Sequence, residues 1–185
     1  MPDNTTVFGW PYPLSSDLVR DGAEAIQDLA EAVETTLTGT ILQVVSTAKT
    51  DTFSTSSSTF TDITGLSVSI TPSNASNKVL VLWSGVMSGS NAPNIRIARG
   101  GTAIFVGDAA GTRTQTTQWA FDGEPFPMGG SFLDSPASTS SLTYTLQMRR
   151  AQTSGTVYIG RSPADNDDTY HARAASSITV MEVSA

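Results

Sequence analysis

The chain contains no cysteine, so it has neither disulfide bonds nor cysteine ligands for a metal. Only 15% of its residues are charged, and the formal net charge is −7. An acidic chain lacks the basic stripe of a general nucleic-acid-binding protein. No run approaches the ~18 consecutive apolar residues of a membrane helix, and the first residues lack the charged and apolar regions of a signal peptide. We therefore expect no nucleic-acid binding, no membrane insertion and no export by the usual route.

Common catalytic and metal-binding combinations are also missing. The single histidine is His171, and no serine lies in a nucleophile motif. The glycine pairs lack the lysine and the following helix of a phosphate-binding loop. Scattered carboxylates such as Asp122, Glu124 and Asp134 leave a glycosidase pair as an alternative. We expect no enzyme activity, no resident metal and no cofactor.

The sequence that is present divides near residue 40, and the acidic excess lies before this point. Residues 1–16 combine prolines with Phe8, Trp10 and Tyr12, a composition that suits neither a helix interior nor a central strand. We interpret this segment as an extended arm. Its aromatic residues either pack on this chain's own helix or domain, or anchor the arm in a neighbouring protein.

Residues 17–38 have the pattern of a short amphipathic helix that stops at a glycine. The apolar residues at heptad positions are Val19, Ile26, Leu29 and Val33. One helix cannot cover its own apolar stripe, so we predict a short parallel bundle of identical chains. The alternative is a helix that lies on its own β domain. Gly22 and Thr36 weaken the heptads, and we therefore expect much of the subunit interface to lie beyond residue 40.

Residues 40–185 change to a period of two with frequent turn signals, which predicts an antiparallel β-sandwich of jelly-roll type. Arg99-Gly100-Gly101-Thr102 predicts a tight hairpin, Met128-Gly129-Gly130 is interpreted as a turn, and Trp83 is expected in the core. The predicted strands are 41–46, 59–64, 66–71, 78–83, 95–99, 102–106, 116–121, 142–149, 156–160 and 177–183.

The predicted loop from Arg161 to Arg173 is rich in polar and aromatic side chains. Exposed aromatic rings stack on sugar rings, while carboxylates and guanidinium groups hydrogen-bond to hydroxyls. The alternatives are a solvated acidic turn, a calcium loop that lacks the usual glycine and glutamate, and a metal bound by symmetry-related histidines. Trp119 and Tyr158 are further candidates for glycan contact. The candidate receptor-binding residues are Arg161, Asp165, Asp167, Asp168, Tyr170 and His171.

The segment 9–37, GWPYPLSSDLVRDGAEAIQDLAEAVETTL, resembles the N-terminal segment of bacteriophage tail-fibre and minor tail proteins. The residues that match that family's helix motif are Asp17, Val19, Asp21, Gly22, Ala25, Ile26, Leu29 and Ala30. The resemblance implies a homotrimer whose N-terminal part binds the virion and whose β domain points outward, often towards the host surface. A single distal domain without a repeated shaft favours a short tail or baseplate fibre.

These observations together predict a structural virion protein assembled in the host cytoplasm and located in the phage tail. Residues 1–16 would attach it to another tail or baseplate protein, 17–38 would trimerise it, and 40–185 would form the displayed head. Recognition of a host-surface glycan and a purely structural role both stay open for the head. The alternatives are a capsid-decorating or head-fibre protein and, as an enzyme, a polysaccharide-degrading tail protein.

Overall fold

The computed structural model describes residues 3–5, 8–12, 14, 21–121 and 123–185. Within these ranges, no helix is long and apolar enough to cross a membrane. The N-terminal elements are β1 (Asp3–Asn4), β2 (Pro11–Tyr12) and α1 (Gly22–Leu37). The strands that follow are β3 (Ile41–Lys49), β4 (Phe53–Thr55), β5 (Thr61–Ile70), β6 (Lys78–Gly89), β7 (Pro93–Arg99), β8 (Thr102–Ile104), β9 (Gln118–Trp119), β10 (Gly123–Asp134), β11 (Leu142–Arg150), β12 (Val157–Ile159) and β13 (Ser176–Val183).

The strands from β3 onward pair as one long antiparallel hairpin that is rolled up. The outermost pair is β3 with β13, and nested inside it are β5 with β11, β6 with β10 and β7 with β8. These pairs form sheet 1, in the order β3-β13-β6-β10, and sheet 2, in the order β5-β11-β7-β8. Such nesting across two packed sheets is a jelly roll, which confirms the predicted antiparallel sandwich.

Two short strands extend sheet 1 beside the main pairs. β12 and β13 share one edge of β6, with Val157 opposite Gly89 and Ser177 opposite Ser84, and β4 adds to β12. The strands β12 and β13 therefore continue along nearly one line. The loop 160–175 between them leaves the sheet and returns to it.

The core lies between the sheets because apolar residues alternate along the strands that face each other. Trp83 is 6% exposed, as the sequence predicts. The fully buried large side chains include Leu66, Ile95, Ile97, Tyr144, Leu146, Met148 and Ile178. The alternation leaves a second set of side chains on the outer face of each sheet, where function can vary without change to the core.

The helix joins sheet 1 at one end of the sandwich, which we call the stem end. The Gly39 N–H donates to the Ser184 carbonyl at 3.0 Å, and the Ser184 N–H donates to the Thr40 carbonyl at 3.0 Å. These bonds tie the start of β3 to the end of β13 directly after the helix. β6 runs from Lys78 at the stem end to Gly89 at the opposite end, the distal end.

The N-terminal arm folds back on the helix. β1 and β2 form a small hairpin, and the Trp10 indole N–H donates to Thr36 Oγ1 at 3.0 Å. The Phe8 and Trp10 rings stack with centroids 5.0 Å apart. α1 has its main element contacts with β2, so the arm covers part of the helix within the same chain.

The interpretation of Met128-Gly129-Gly130 as a turn is wrong, because these residues lie inside the 12-residue strand β10. Among the described strands β10 pairs with β6 alone, and such an edge strand tolerates proline. A Cβ on Gly130 would lie 2.8 Å from the Trp83 ring, so glycine is needed where the strand crosses the indole. The glycine that suggested a turn in the sequence therefore allows the backbone of β10 to pass close to the buried Trp83 ring.

Other differences from the predicted strands are smaller. The predicted strands 59–64 and 66–71 are one strand, β5, with an irregularity in its pairing to β11. β4 was not predicted, and β9 is only two residues of the predicted 116–121. The Gly-Gly hairpin is confirmed: Arg99 pairs with Thr102, and both glycines have positive φ angles of 56° and 82°.

Candidate binding site

A cavity of about 650 Å³ opens on the outer face of sheet 1, in its distal half. Val86 of β6 forms its floor, residues 123–125 at the start of β10 form one wall, and the loop 160–175 forms the other. A concave site of this volume accommodates a small-molecule ligand or part of a larger one. The cavity is therefore the candidate binding site among the described residues.

Arg161 holds the start of the loop. Its guanidinium carbon lies 4.2 Å from the centre of the Tyr158 ring, a cation–π distance. Its Nε donates to the Ser162 carbonyl at 3.0 Å and its Nη2 donates to the Pro163 carbonyl at 2.9 Å. Because Nη1 also lies 3.1 Å from Asp165, the guanidinium is occupied by its own loop. Arg161 lines the cavity mainly as framework.

Asp165 connects the two ends of the loop. Its Oδ2 accepts from Arg173 Nη2 at 2.8 Å while it also pairs with Arg161. Its backbone has a φ of +52°, and its N–H donates to Ser162 Oγ at 3.3 Å. One carboxylate thus bridges two guanidinium groups and fixes the width of the loop.

Asp168 organises the tip of the loop. Its Oδ1 accepts from the N–H groups of Tyr170 and His171 at 2.9 and 3.0 Å, and it lies 2.7 Å from His171 Nδ1. The hydrogen bond with the His171 side chain, more than any other contact, lowers the pKa of Asp168. The result is a turn that presents two rings at the cavity: Tyr170 is 84% exposed and packs edge-on against His171.

The structure therefore divides the predicted receptor-binding residues into two groups. Arg161, Tyr170 and His171 line the cavity, whereas Asp165 and Asp168 support the loop from within it. Asp167 is exposed beside them and is not part of the cavity lining.

Sequence reasoning missed the opposite wall of the cavity. Glu124 and Pro125 come from β10, a strand that the sequence did not predict. Exposed aromatic residues also accumulate in the same part of the chain: Trp119 is 52% exposed, Phe121 is 78% exposed, and their rings lie 4.8 Å apart. The signal in the sequence was the cluster of aromatic residues and prolines between 119 and 127.

The chemistry of the site suits binding. Its lining is largely apolar, with Glu124, Arg161, Ser162, Tyr170 and His171 as polar residues, and the described residues contain no group of three or more histidines or carboxylates close enough to hold a metal. Glu124 and Asp134 lie ten positions apart on β10, roughly 33 Å by the rise of a strand, whereas glycosidase carboxylates lie within about 10 Å. Asp122 lies outside the described residues. The arrangement offers a ligand one exposed aromatic ring beside several hydrogen-bonding groups.

The other predicted site residues lie far from this cavity, on the arm and the helix. Phe8 is 62% exposed and Tyr12 is 38% exposed, while Trp10 is half-buried against the helix. Ile26 is 66% exposed, and Leu29 and Val33 are half-buried. Val19 lies outside the described residues. A single chain thus leaves the Ile26 side of α1 uncovered.

Comparison with known proteins identifies no family. No family model matches the chain, and no curated protein matches it. Among solved structures, the chain is similar to one titled "Structure of infectious bursal disease virus Gx strain", with 12% identity and a TM-score of 0.36. The match covers 76% of this chain and 39% of that chain, so the present chain spans well under half of its length. A likeness this weak supports no argument about function.

Proposed function

We propose that the chain is a structural virion protein: a short phage tail or baseplate fibre that attaches through its N-terminal arm and displays a trimeric β head. The observation behind this proposal is the contrast between the two ends of the molecule. The stem end carries a helix with an uncovered apolar side, and the distal half carries a cavity lined by the exposed ring of Tyr170. Attachment and recognition are thereby assigned to opposite ends.

The helix supports the trimer. Ile26, Leu29 and Val33 recur at coiled-coil spacing, and Ile26 keeps 66% of its surface exposed in one chain. A helix of 16 residues is marginal by itself in water, so its stability depends on what covers its apolar side. Identical helices in parallel would cover all three residues at once. The matched phage-like motif lies in this same segment.

The cavity supports recognition of a saccharide. A tyrosine ring provides a flat apolar surface for a sugar ring, and Glu124 and His171 provide hydrogen-bonding groups for its hydroxyls. A single site of this kind binds weakly. Three copies on one stem raise the effective concentration and hence the avidity without any new contact.

A pair of variants separates the two roles. Tyr170→Ala should abolish binding of the purified protein to immobilised host-surface polysaccharide while its incorporation into virions stays normal. Phe8→Ala, which also removes an exposed aromatic side chain, should retain polysaccharide binding and reduce incorporation into virions. If both variants behave like the wild type in both assays, the assignment of the two ends is wrong.

The location of the protein is tested by antibody labelling of intact virions. Label at the tail tip or baseplate is the expected result. Label distributed over the capsid would instead identify a decorating or head-fibre protein. Release of reducing ends from the polysaccharide by the purified protein would overturn the proposal that the head binds without cleavage.

A further inference from the structure

The outer face of sheet 1 carries an apolar row across all four of its main strands in the half nearest the stem. The strand register places Val44 of β3 opposite Met181 of β13, Met181 opposite Leu80 of β6, and Leu80 opposite Leu133 of β10. Directly opposed side chains on one face of a sheet lie about 5 Å apart. The four residues therefore form one continuous surface.

Further apolar residues of the same strands widen this row. We define the apolar face as Ile41, Leu42, Val44, Leu80, Leu82, Leu133, Met181 and Val183. Val44 is 56% exposed and Leu133 is 46% exposed, with Ile41 and Leu42 at 51% and 47%. The next row of the sheet on the distal side consists of Leu82 together with Ser46, Thr179 and Ser131. None of these residues is charged. Monomeric proteins rarely expose a contiguous apolar surface of this kind.

Two features of the chain indicate what covers this face. The apolar face begins at Ile41, four residues after the last residue of α1, and the backbone bonds of Gly39 and Thr40 to Ser184 fix that junction to β13. Any symmetric assembly that covers the Ile26 side of α1 therefore brings the stem ends of neighbouring heads together. The face contains one charged side chain, Lys78, which is exposed at its stem edge opposite Val183, so a second copy of the chain can cover the remaining apolar residues without burying an unpaired charge.

We propose that the apolar face of sheet 1 is a subunit interface, covered by a second copy of this chain. The inference rests on the proposed fibre, and it names the surface that holds the heads together. Leu80 and Val86 are six positions apart on β6, roughly 20 Å along the strand. An interface centred on the apolar row consequently leaves the distal cavity accessible.

Single-cysteine variants test the proposal in the full chain, because the natural sequence has no cysteine. Val44→Cys places a thiol in the apolar row, and Ser69→Cys places one at an exposed position on the outer face of sheet 2. In the native protein we expect Val44→Cys to react with a maleimide at least ten times more slowly than Ser69→Cys. Equal rates in urea show that the difference comes from the native structure and not from the intrinsic reactivity of the two thiols. Equal rates in the native protein overturn the interface.

A charge substitution provides a second readout. Val44→Glu should lower the mass measured by sedimentation equilibrium at micromolar concentration from trimer to monomer, whereas the matched Ser69→Glu should keep the wild-type mass. If the wild type is a trimer and Val44→Glu remains one, the interface is wrong and the proposed fibre stands. If the wild type is itself a monomer, the trimer of the proposed function fails together with the interface.

Discussion

The outer faces of the two sheets differ, although the sheets share one core and the same alternation of side chains. The outer face of sheet 1 has the apolar row described above. On sheet 2, the equivalent positions carry hydroxyl pairs: Ser67 with Thr145 at 3.0 Å and Ser69 with Thr143 at 2.8 Å. A jelly roll needs only its inner face to be apolar. The apolar face of sheet 1 is therefore not a requirement of the fold, which is why we assign it to assembly.

Sheet 2 also satisfies its polar groups internally. Gln147 donates to Asp62 Oδ1 at 2.7 Å and accepts from Arg96 Nε at 2.7 Å. The Arg96 guanidinium in turn lies 4.2 Å from the centre of the Phe60 ring. The polar side chains of this network therefore find their partners within one chain. The comparison suggests that each face can be altered separately.

The largest effect is expected at Glu182, inside sheet 1 beneath the apolar face. Its side chain is 1% exposed and accepts from the Ser73 N–H at 2.6 Å, Ser73 Oγ at 2.7 Å and Asn77 Nδ2 at 2.6 Å. Glu182→Ala leaves the buried Asn77 amide and the two Ser73 donors without their acceptor and should reduce the free energy of unfolding by about 3 kcal/mol. Urea unfolding at one fixed protein concentration measures this. The exposed Glu124→Ala should unfold like the wild type, and equal midpoints for both variants would contradict the account.

The same residue predicts an acid dependence of stability. Burial by itself would raise the pKa of Glu182, but the hydrogen bonds from Asn77, Ser73 and Gln43 outweigh burial and lower the pKa below the ordinary 4.5. A lowered pKa in the folded state stabilises the protein above about pH 4.5, and this contribution is lost as the pH falls below that value. Unfolding midpoints between pH 6 and pH 3 should fall more steeply for the wild type than for Glu182→Ala. Parallel curves would show that Glu182 does not contribute.

A smaller loss is expected from the polar network on sheet 2. Asp62→Ala removes the acceptor of Gln147, whose side chain is 8% exposed, and should cost about 1–2 kcal/mol of unfolding free energy. Asp108→Ala, at an exposed loop position, is the control and should cost almost nothing. Urea unfolding again measures both. Because this face lies outside the proposed interface, the solution mass of Asp62→Ala should equal that of the wild type.

The smallest effect is expected from a hydroxyl pair on sheet 2. Ser69→Val combined with Thr143→Val replaces one exposed pair by β-branched apolar residues of high strand propensity. The free energy of unfolding should change by less than about 1 kcal/mol, since fold stability does not require these hydroxyls. A thermal unfolding scan is sufficient. A large loss would show that the polarity of sheet 2 supports the fold itself.

The sequence predicts the fold class because alternation of apolar residues is strong where strands are buried on one face, as in Leu66, Val68 and Ile70. The sequence does not predict β10, because Pro125, Pro127 and Gly130 have the composition of a turn. The strand accommodates its prolines because it lies at an edge of the sheet, and it needs Gly130 because its backbone passes close to Trp83. The sequence also gives no sign that Glu182 is buried, since the residues around this carboxylate come from distant parts of the chain.

Only part of the candidate site was predicted, because some of its residues are close in the sequence and others are brought together by strand pairing. Tyr170 and His171 belong to one local segment, so their proximity could be inferred from the sequence. Glu124 joins them only through the pairing of β10 with β6, and the framework role of Arg161 depends on Tyr158 of β12. The apolar row from Val44 to Leu133 likewise exists only through the register of four strands. Local patterns identify loops, whereas surfaces built across strands require the topology.

We propose that two uncovered apolar surfaces, the Ile26 side of α1 and the apolar face of sheet 1, are covered by other copies of the same chain. Light scattering on the full-length protein during size-exclusion chromatography tests it most directly. We expect one species with three times the 19.4 kDa chain mass. A stable species of 19.4 kDa across the accessible concentration range would contradict it.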